Sequence, residues 1–62
     1  MENHIAEMRK KAGMTQERLA RALGVSQQQL SEWERGIRVP AVTTAIEIAR
    51  LLDCRVEDLY MP

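Results

Sequence analysis

Gln27, Gln28 and Gln29 stand in a row just ahead of Trp33. Three consecutive amides add no charge and little apolar area, but each offers two donors and an acceptor. Such groups suit the reading of a patterned polar surface. Taken alone, they are also ordinary helix-forming surface residues. Around them lies a basic field. From Arg9 to Arg38 there are seven basic residues (Arg9, Lys10, Lys11, Arg18, Arg21, Arg35, Arg38) against three acids (Glu17, Glu32, Glu34), a surplus of four. After Arg38 the balance reverses, with Arg50 and Arg55 against Glu47, Asp53, Glu57 and Asp58. The formal net charge is zero, so only the first two-thirds of the chain is suited to face a polyanion.

Other chemistries find little support. No nucleophile–base pair and no glycine-rich phosphate loop is visible, and 62 residues without cofactor motifs are a poor basis for an enzyme. His4 has no partner at metal-ligand spacing and reads as a solvated residue at a helix start; no metal or cofactor is expected. Cys54 is the only cysteine, which excludes an internal disulfide framework and a cysteine-based zinc cluster. It reads as a small core residue in a reduced, cytoplasmic setting. No apolar run approaches the roughly 20 residues needed to span a membrane.

These residues need a scaffold, and the length fits one small domain of residues 1–62 with a modest core. The pattern predicts five short helices and no strands. Helix 1 covers about residues 4–11, with Asn3 as cap and Ile5, Met8 and Ala12 on one stripe. Gly13 ends it. Helix 2 covers about 15–23, with Leu19, Ala20, Leu23 and, at its edge, Ala22 on the apolar side, and Gly24 closes it. Helix 3 covers about 26–35. Ser26 and Gln29 have capping-box spacing there, and Val25 and Leu30 have hydrophobic-staple spacing. After Gly36, Val39 and Pro40 make an extended connection. Helix 4 follows, with Val42, Ala45, Ile46, Ala49 and Leu52 on one stripe. A last turn, 56–60, carries Val56, Leu59 and Tyr60.

Two helices joined by a three- to four-residue turn containing glycine form a helix-turn-helix. The run MTQERLARALGVSQQQLSEWERGIRVP resembles the core of the λ-repressor and Cro family, also called XRE-like. Its pieces are Thr15-Gln16, Leu19-Ala20, Leu23-Gly24-Val25-Ser26, Leu30-Ser31, Trp33-Glu34, Gly36 and Pro40. Three positions depart from the usual pattern: Ala41 where a serine often caps helix 4, Asp53 where a glycine often ends it, and Arg55 where a serine or threonine often starts helix 5. The departures concern the ends of helices 4 and 5. The resemblance implies a compact all-α, five-helix fold and a sequence-specific DNA-binding transcriptional regulator, usually a repressor, binding a palindromic operator as a homodimer.

In that setting the amides gain a use. Leu30 and Trp33 turn helix 3 to the core, so Gln28, Glu32 and Arg35 face outward, with Ser31 beside them and Gln27 on the flank. A recognition helix enters the major groove N-terminal end first, and a glutamine can pair with adenine through both its donor and its acceptor. Gln27, Gln28, Ser31 and Glu32 are the expected base-contacting residues. Gln16, Arg18, Arg35 and Arg38 are the expected phosphate contacts. The resemblance further implies that Gln16 braces Gln27. Glu32 could accept from a cytosine amine or pair with Arg35 or a neighbouring arginine; the sequence leaves both open. Trp33 is expected in the core. The resemblance also implies an ion pair between Arg9 and Glu34, each at the edge of an apolar stripe. Leu51, Val56, Leu59 and Tyr60 exceed what a small core needs and are the expected dimer surface. Two rivals remain: a protein-interaction module such as an antitoxin or a part of a larger regulator, favoured by the neutral charge, and a nucleoid-type protein binding DNA without sequence preference, which would call for more lysine and fewer glutamines on helix 3.

Overall fold

Gly24 turns the chain. It takes a left-handed φ of 73° at the end of one helix, and Ser26 caps the next helix two residues later. Glycine adopts this conformation without a steric penalty. The computed structural model describes residues 2–61, all helical or connecting, with no strand among them. The helices are α1 (Ile5–Lys11), α2 (Gln16–Leu23), α3 (Gln27–Glu34), α4 (Val42–Leu51) and α5 (Val56–Tyr60). The observed architecture is all-α, as the sequence pattern predicts.

Capping chemistry explains most of the boundaries. Thr15 and Ser26 share an extended backbone, and their hydroxyls accept from the backbone N–H of Arg18 (3.1 Å) and Gln29 (3.0 Å). The hydroxyl half of the capping box is therefore made, whereas the Gln29 side chain is exposed and makes no return bond among the described residues. Asn3 supplies the expected capping oxygen, but the helix starts at Ile5 and His4 holds the cap position without a side-chain capping bond. The Asn3 Oδ1 accepts from Ile5 N–H at 2.9 Å, and its Nδ2 donates to the Trp33 carbonyl at 2.8 Å, tying the start of α1 to the end of α3. His4 is not merely solvated: its Nδ1 lies 2.9 Å from a Glu7 carboxylate oxygen.

The C-terminal departures find local substitutes. Asp53 adopts φ 55°, the left-handed turn that glycine makes elsewhere, and short polar side chains tolerate it best. Cys54 N–H then reaches the Ala49 carbonyl and Asp53 N–H the Arg50 carbonyl, the same pair of bonds that Val25 and Gly24 make to Ala20 and Arg21. The Asp58 carboxylate accepts from Arg55 backbone N–H at 3.0 Å, so an acid in the first turn of α5 satisfies the cap position where Arg55 has no oxygen to offer. Ala41 leaves α4 with no side-chain cap.

Ile5, Leu19, Leu30, Ile48 and Leu59 are fully buried, with Ala20, Trp33, Ala45, Ala49 and Leu52 around them. Each helix contributes, and α2 packs most extensively on α3. The expected stripe on α4 needs correction. Ile48 is its central buried residue, whereas Val42 is 75% and Ile46 44% exposed. The core side is Ala45, Ile48, Ala49 and Leu52, spaced i, i+3, i+4 and i+7. Apolar residues occupy so much of this helix that periodicity alone fits either stripe. Leu59 is also corrected: at 0% exposure it is a core residue with no surface to offer a partner. Among the described residues no helix is long and apolar enough to cross a membrane.

Candidate nucleic-acid interface

A chain of four side chains runs from α1 to the first turn of α3. Arg9 Nε donates to Glu34 at 2.7 Å and Nη2 to the second oxygen at 3.3 Å, a fork-to-fork pair with the side chains 11% and 6% exposed. Arg9 Nη1 also holds the Met14 carbonyl at 2.9 Å, fixing the loop before α2. Gln16 Nε2 donates to Glu34 at 3.0 Å. Gln27 Nε2 in turn donates to Gln16 Oε1 at 3.2 Å. The order has a logic. A carboxylate can only accept, so it takes the amide N–H₂ of Gln16 and turns that residue's carbonyl towards Gln27. Gln27 then donates inward, and its own carbonyl oxygen makes no bond among the described residues.

Glu34 is thus the hub of three helices. Burying an ion pair is costly unless its remaining hydrogen-bonding capacity is met, and here Met14 and Gln16 meet it. No buried side-chain nitrogen or oxygen lacks a partner among the described residues. The Glu34–Gln16 bond was not read from the sequence. Its signal is a three-dimensional one: residues 18 positions apart meet only when the helix pair closes.

Gln28 is exposed beside Gln27 on the outward side of α3. Ser31 is half-buried, and its hydroxyl accepts from Arg35 Nε at 3.2 Å, which steers Arg35 along the helix. Glu32 pairs with Arg38, not Arg35: Arg38 Nε lies 3.2 Å from its carboxylate. Arg21 pairs with Glu17 at 3.2 Å one turn away, both side chains largely in solvent, where such pairs contribute little. Arg18 is exposed and its side chain has no partner among the described residues. The structure therefore brings Gln16, Gln27, Glu34 and Arg9 together, leaves Gln28 and Arg18 presented to solvent, and couples Arg35 to Ser31 and Arg38 to Glu32.

The C-terminal apolar residues do not form one surface. Leu51 lines a shallow groove with Met8, Lys11 and Ala12. Val56 and Tyr60 line another, of about 220 Å³, with Val39, Pro40, Val42 and Ala45. Leu51 follows Val42 by nine positions, which places it half a turn away around α4. Burial pushes the Tyr60 hydroxyl above its ordinary pKa. The Cys54 thiol is raised too, by burial first and then by Asp58 and Asp53.

A tight pair of packed helices, the second presenting a braced polar face, defines a helix-turn-helix protein. The helix-turn-helix family model HTH_3 matches residues 5–59. The chain is 41% identical over 98% of its length to an uncharacterized HTH-type transcriptional regulator of Archaeoglobus fulgidus, of which it covers 87%. It is 42% identical over 90% of its length to the SPbeta prophage-derived uncharacterized HTH-type transcriptional regulator YopS of Bacillus subtilis, of which it covers 77%. A crystal structure of a Bacteroides fragilis protein proposed to bind DNA superposes with a TM-score of 0.88 over 94% of both chains, at 24% identity. The chain belongs to the XRE-like helix-turn-helix family of DNA-binding transcriptional regulators.

Proposed function

We propose that this chain is a repressor that reads a palindromic operator in double-stranded DNA as a homodimer, with α3 laid in the major groove. One observation carries the reading: exposed Gln27 is held by a relay from Glu34 through Gln16, its carbonyl oxygen left without a bond among the described residues, next to an exposed Gln28. A surface glutamine without a task has no need of such bracing. A braced amide loses less freedom when it pairs with a base, and pre-organisation of this kind favours discrimination. Gln27 and Gln28 contact bases, with Ser31 and Glu32 at the edge of the same surface. Gln16, Arg18, Arg35 and Arg38 contact phosphates.

A short helix covers few base pairs, so two copies would read two half-sites. The apolar groove of Val39, Val42, Val56 and Tyr60 supports a second copy as its occupant. Apolar patches of this kind mark interaction sites, and a domain this small gains stability from association. The same groove would serve the rival reading, an interaction module such as an antitoxin. Selection of random duplexes by the protein, followed by sequencing, tests the proposal. An inverted repeat is the expected product. Diffuse enrichment would point to non-specific DNA binding, and no retained DNA to the interaction module.

A further inference from the structure

Glu32 is an acid on the surface proposed to face phosphates. It follows Gln28 by one helical turn, so the two are neighbours. Its carboxylate pairs with Arg38 at 3.2 Å, with the side chains 25% and 71% exposed respectively. The backbone points the same way. The N–H groups of Ile37 and Arg38 both bond to the Glu32 carbonyl, at 3.0 and 3.3 Å. The turn after α3 thus folds Arg38 back over Glu32 through main chain and side chain together. An ion pair whose arginine is this exposed contributes little to folding, and no fully buried residue takes part in it. Its position instead couples two of the groups proposed to meet DNA.

We propose that Glu32 is a specificity-determining residue that acts by withholding Arg38 from non-specific DNA. This rests on the DNA-reading function above. On a random sequence the carboxylate keeps the guanidinium, and the couple is electrically neutral. It then displaces no counterion from the duplex, whereas a released arginine would displace about one. At a half-site that presents a cytosine amine beneath Glu32, the carboxylate accepts from that amine and the arginine swings to a phosphate. Non-specific binding is lowered and specific binding raised by the same exchange of partners. The neutral overall charge of the chain fits a binder that limits its attraction to DNA at large.

Glu32→Gln tests this with two probes: a random-sequence duplex and the duplex selected by the wild-type protein. Because Arg38 is largely in solvent and Gln keeps the size of Glu32, the melting temperature should stay near wild type. Affinity for the random duplex at low salt should rise about three- to tenfold, and the slope of log affinity against log salt should steepen by about one. Affinity for the selected duplex should rise less or fall, so the ratio of the two shrinks. In an Arg38→Ala background the same substitution should lose most of its effect on random DNA. An equal gain in that background would mean simple repulsion by Glu32 and would overturn the withholding. So would an unchanged random-duplex affinity in Glu32→Gln. Wild-type protein that binds neither duplex at low salt would defeat the DNA-reading function itself, and this inference with it.

Discussion

The two halves of this small molecule are held by different physics. The helix pair α2–α3 starts both of its helices with hydroxyl caps, Thr15 and Ser26, and meets α1 through the Arg9–Glu34–Gln16–Gln27 relay. Helices α4 and α5 have no hydroxyl cap, pass through a left-handed Asp53, and join the rest through Ala45, Ile48, Ala49, Leu52 and Leu59, with a backbone hydrogen bond from His4 N–H to the Leu59 carbonyl at 2.7 Å beside them. The first region is positioned by directional bonds and presents polar groups. The second has, among the described residues, no side-chain bond of this kind to the other helices, is held mainly by non-directional apolar contact, and leaves apolar surface uncovered. Directional bonds fix a side chain to a fraction of an ångström, as base reading needs. Apolar packing needs only volume and shape, and suits a surface made to meet another apolar one.

The hub should break first. Glu34→Ala strands Arg9 with little solvent and releases Gln16; removing one partner of a fully buried pair costs about 3–5 kcal/mol, and this partly buried one should cost about 2–3 kcal/mol. For a domain of this size that corresponds to a fall in melting temperature of at least 10 °C or so, measurable by circular dichroism. A loss of under about 1 kcal/mol would remove the contrast, because the relay would then be decoration. Gln28→Ala probes the presented face and leaves the hub intact. It should weaken binding to the selected duplex by about 1–3 kcal/mol, change random-duplex binding little and relax the preference at one position of each half-site. Unchanged selectivity would leave the row of amides without a purpose.

The other half can be made to resemble the first. Ala41 has φ −59° and ψ 156°, close to the backbone of Thr15 and Ser26. Ala41→Ser should therefore cap α4 and raise stability by about 1 kcal/mol in thermal melts. Asp53→Gly should relieve the left-handed strain, offset in part by a more flexible unfolded chain, for a net gain of about 0.5 kcal/mol. If neither variant gains, the ends of α4 are already satisfied and the two regions differ less than their caps suggest. The smallest effect concerns Cys54. With its thiol raised by burial and by Asp58 and Asp53, little thiolate is present at neutral pH, and alkylation in the native protein should be slower than in denaturant. Equal rates would mean that the α4–α5 turn opens freely.

Helix order, the turn at Gly24, the Ser26 cap and the outward row of glutamines were legible in the sequence, because each depends on residues within a few positions of one another. Ser26, three residues before Gln29, determines its cap whatever surrounds it, and Thr15, read as the first residue of helix 2, caps that helix by the same local geometry. Tertiary structure alone decided which of two apolar stripes on α4 faces inward, since Ile48 and Ile46 are equally apolar and only packing against the other helices separates them. It also decided that Leu59 belongs to the core and that Leu51 and Tyr60 open on different grooves. It chose Arg38 over Arg35 for Glu32, because the turn after α3 folds back, and it joined Gln16 to Glu34 across 18 positions. A side chain's neighbours along a helix follow from a fixed rise and rotation, whereas its neighbours across helices exist only once the chain has closed on its core.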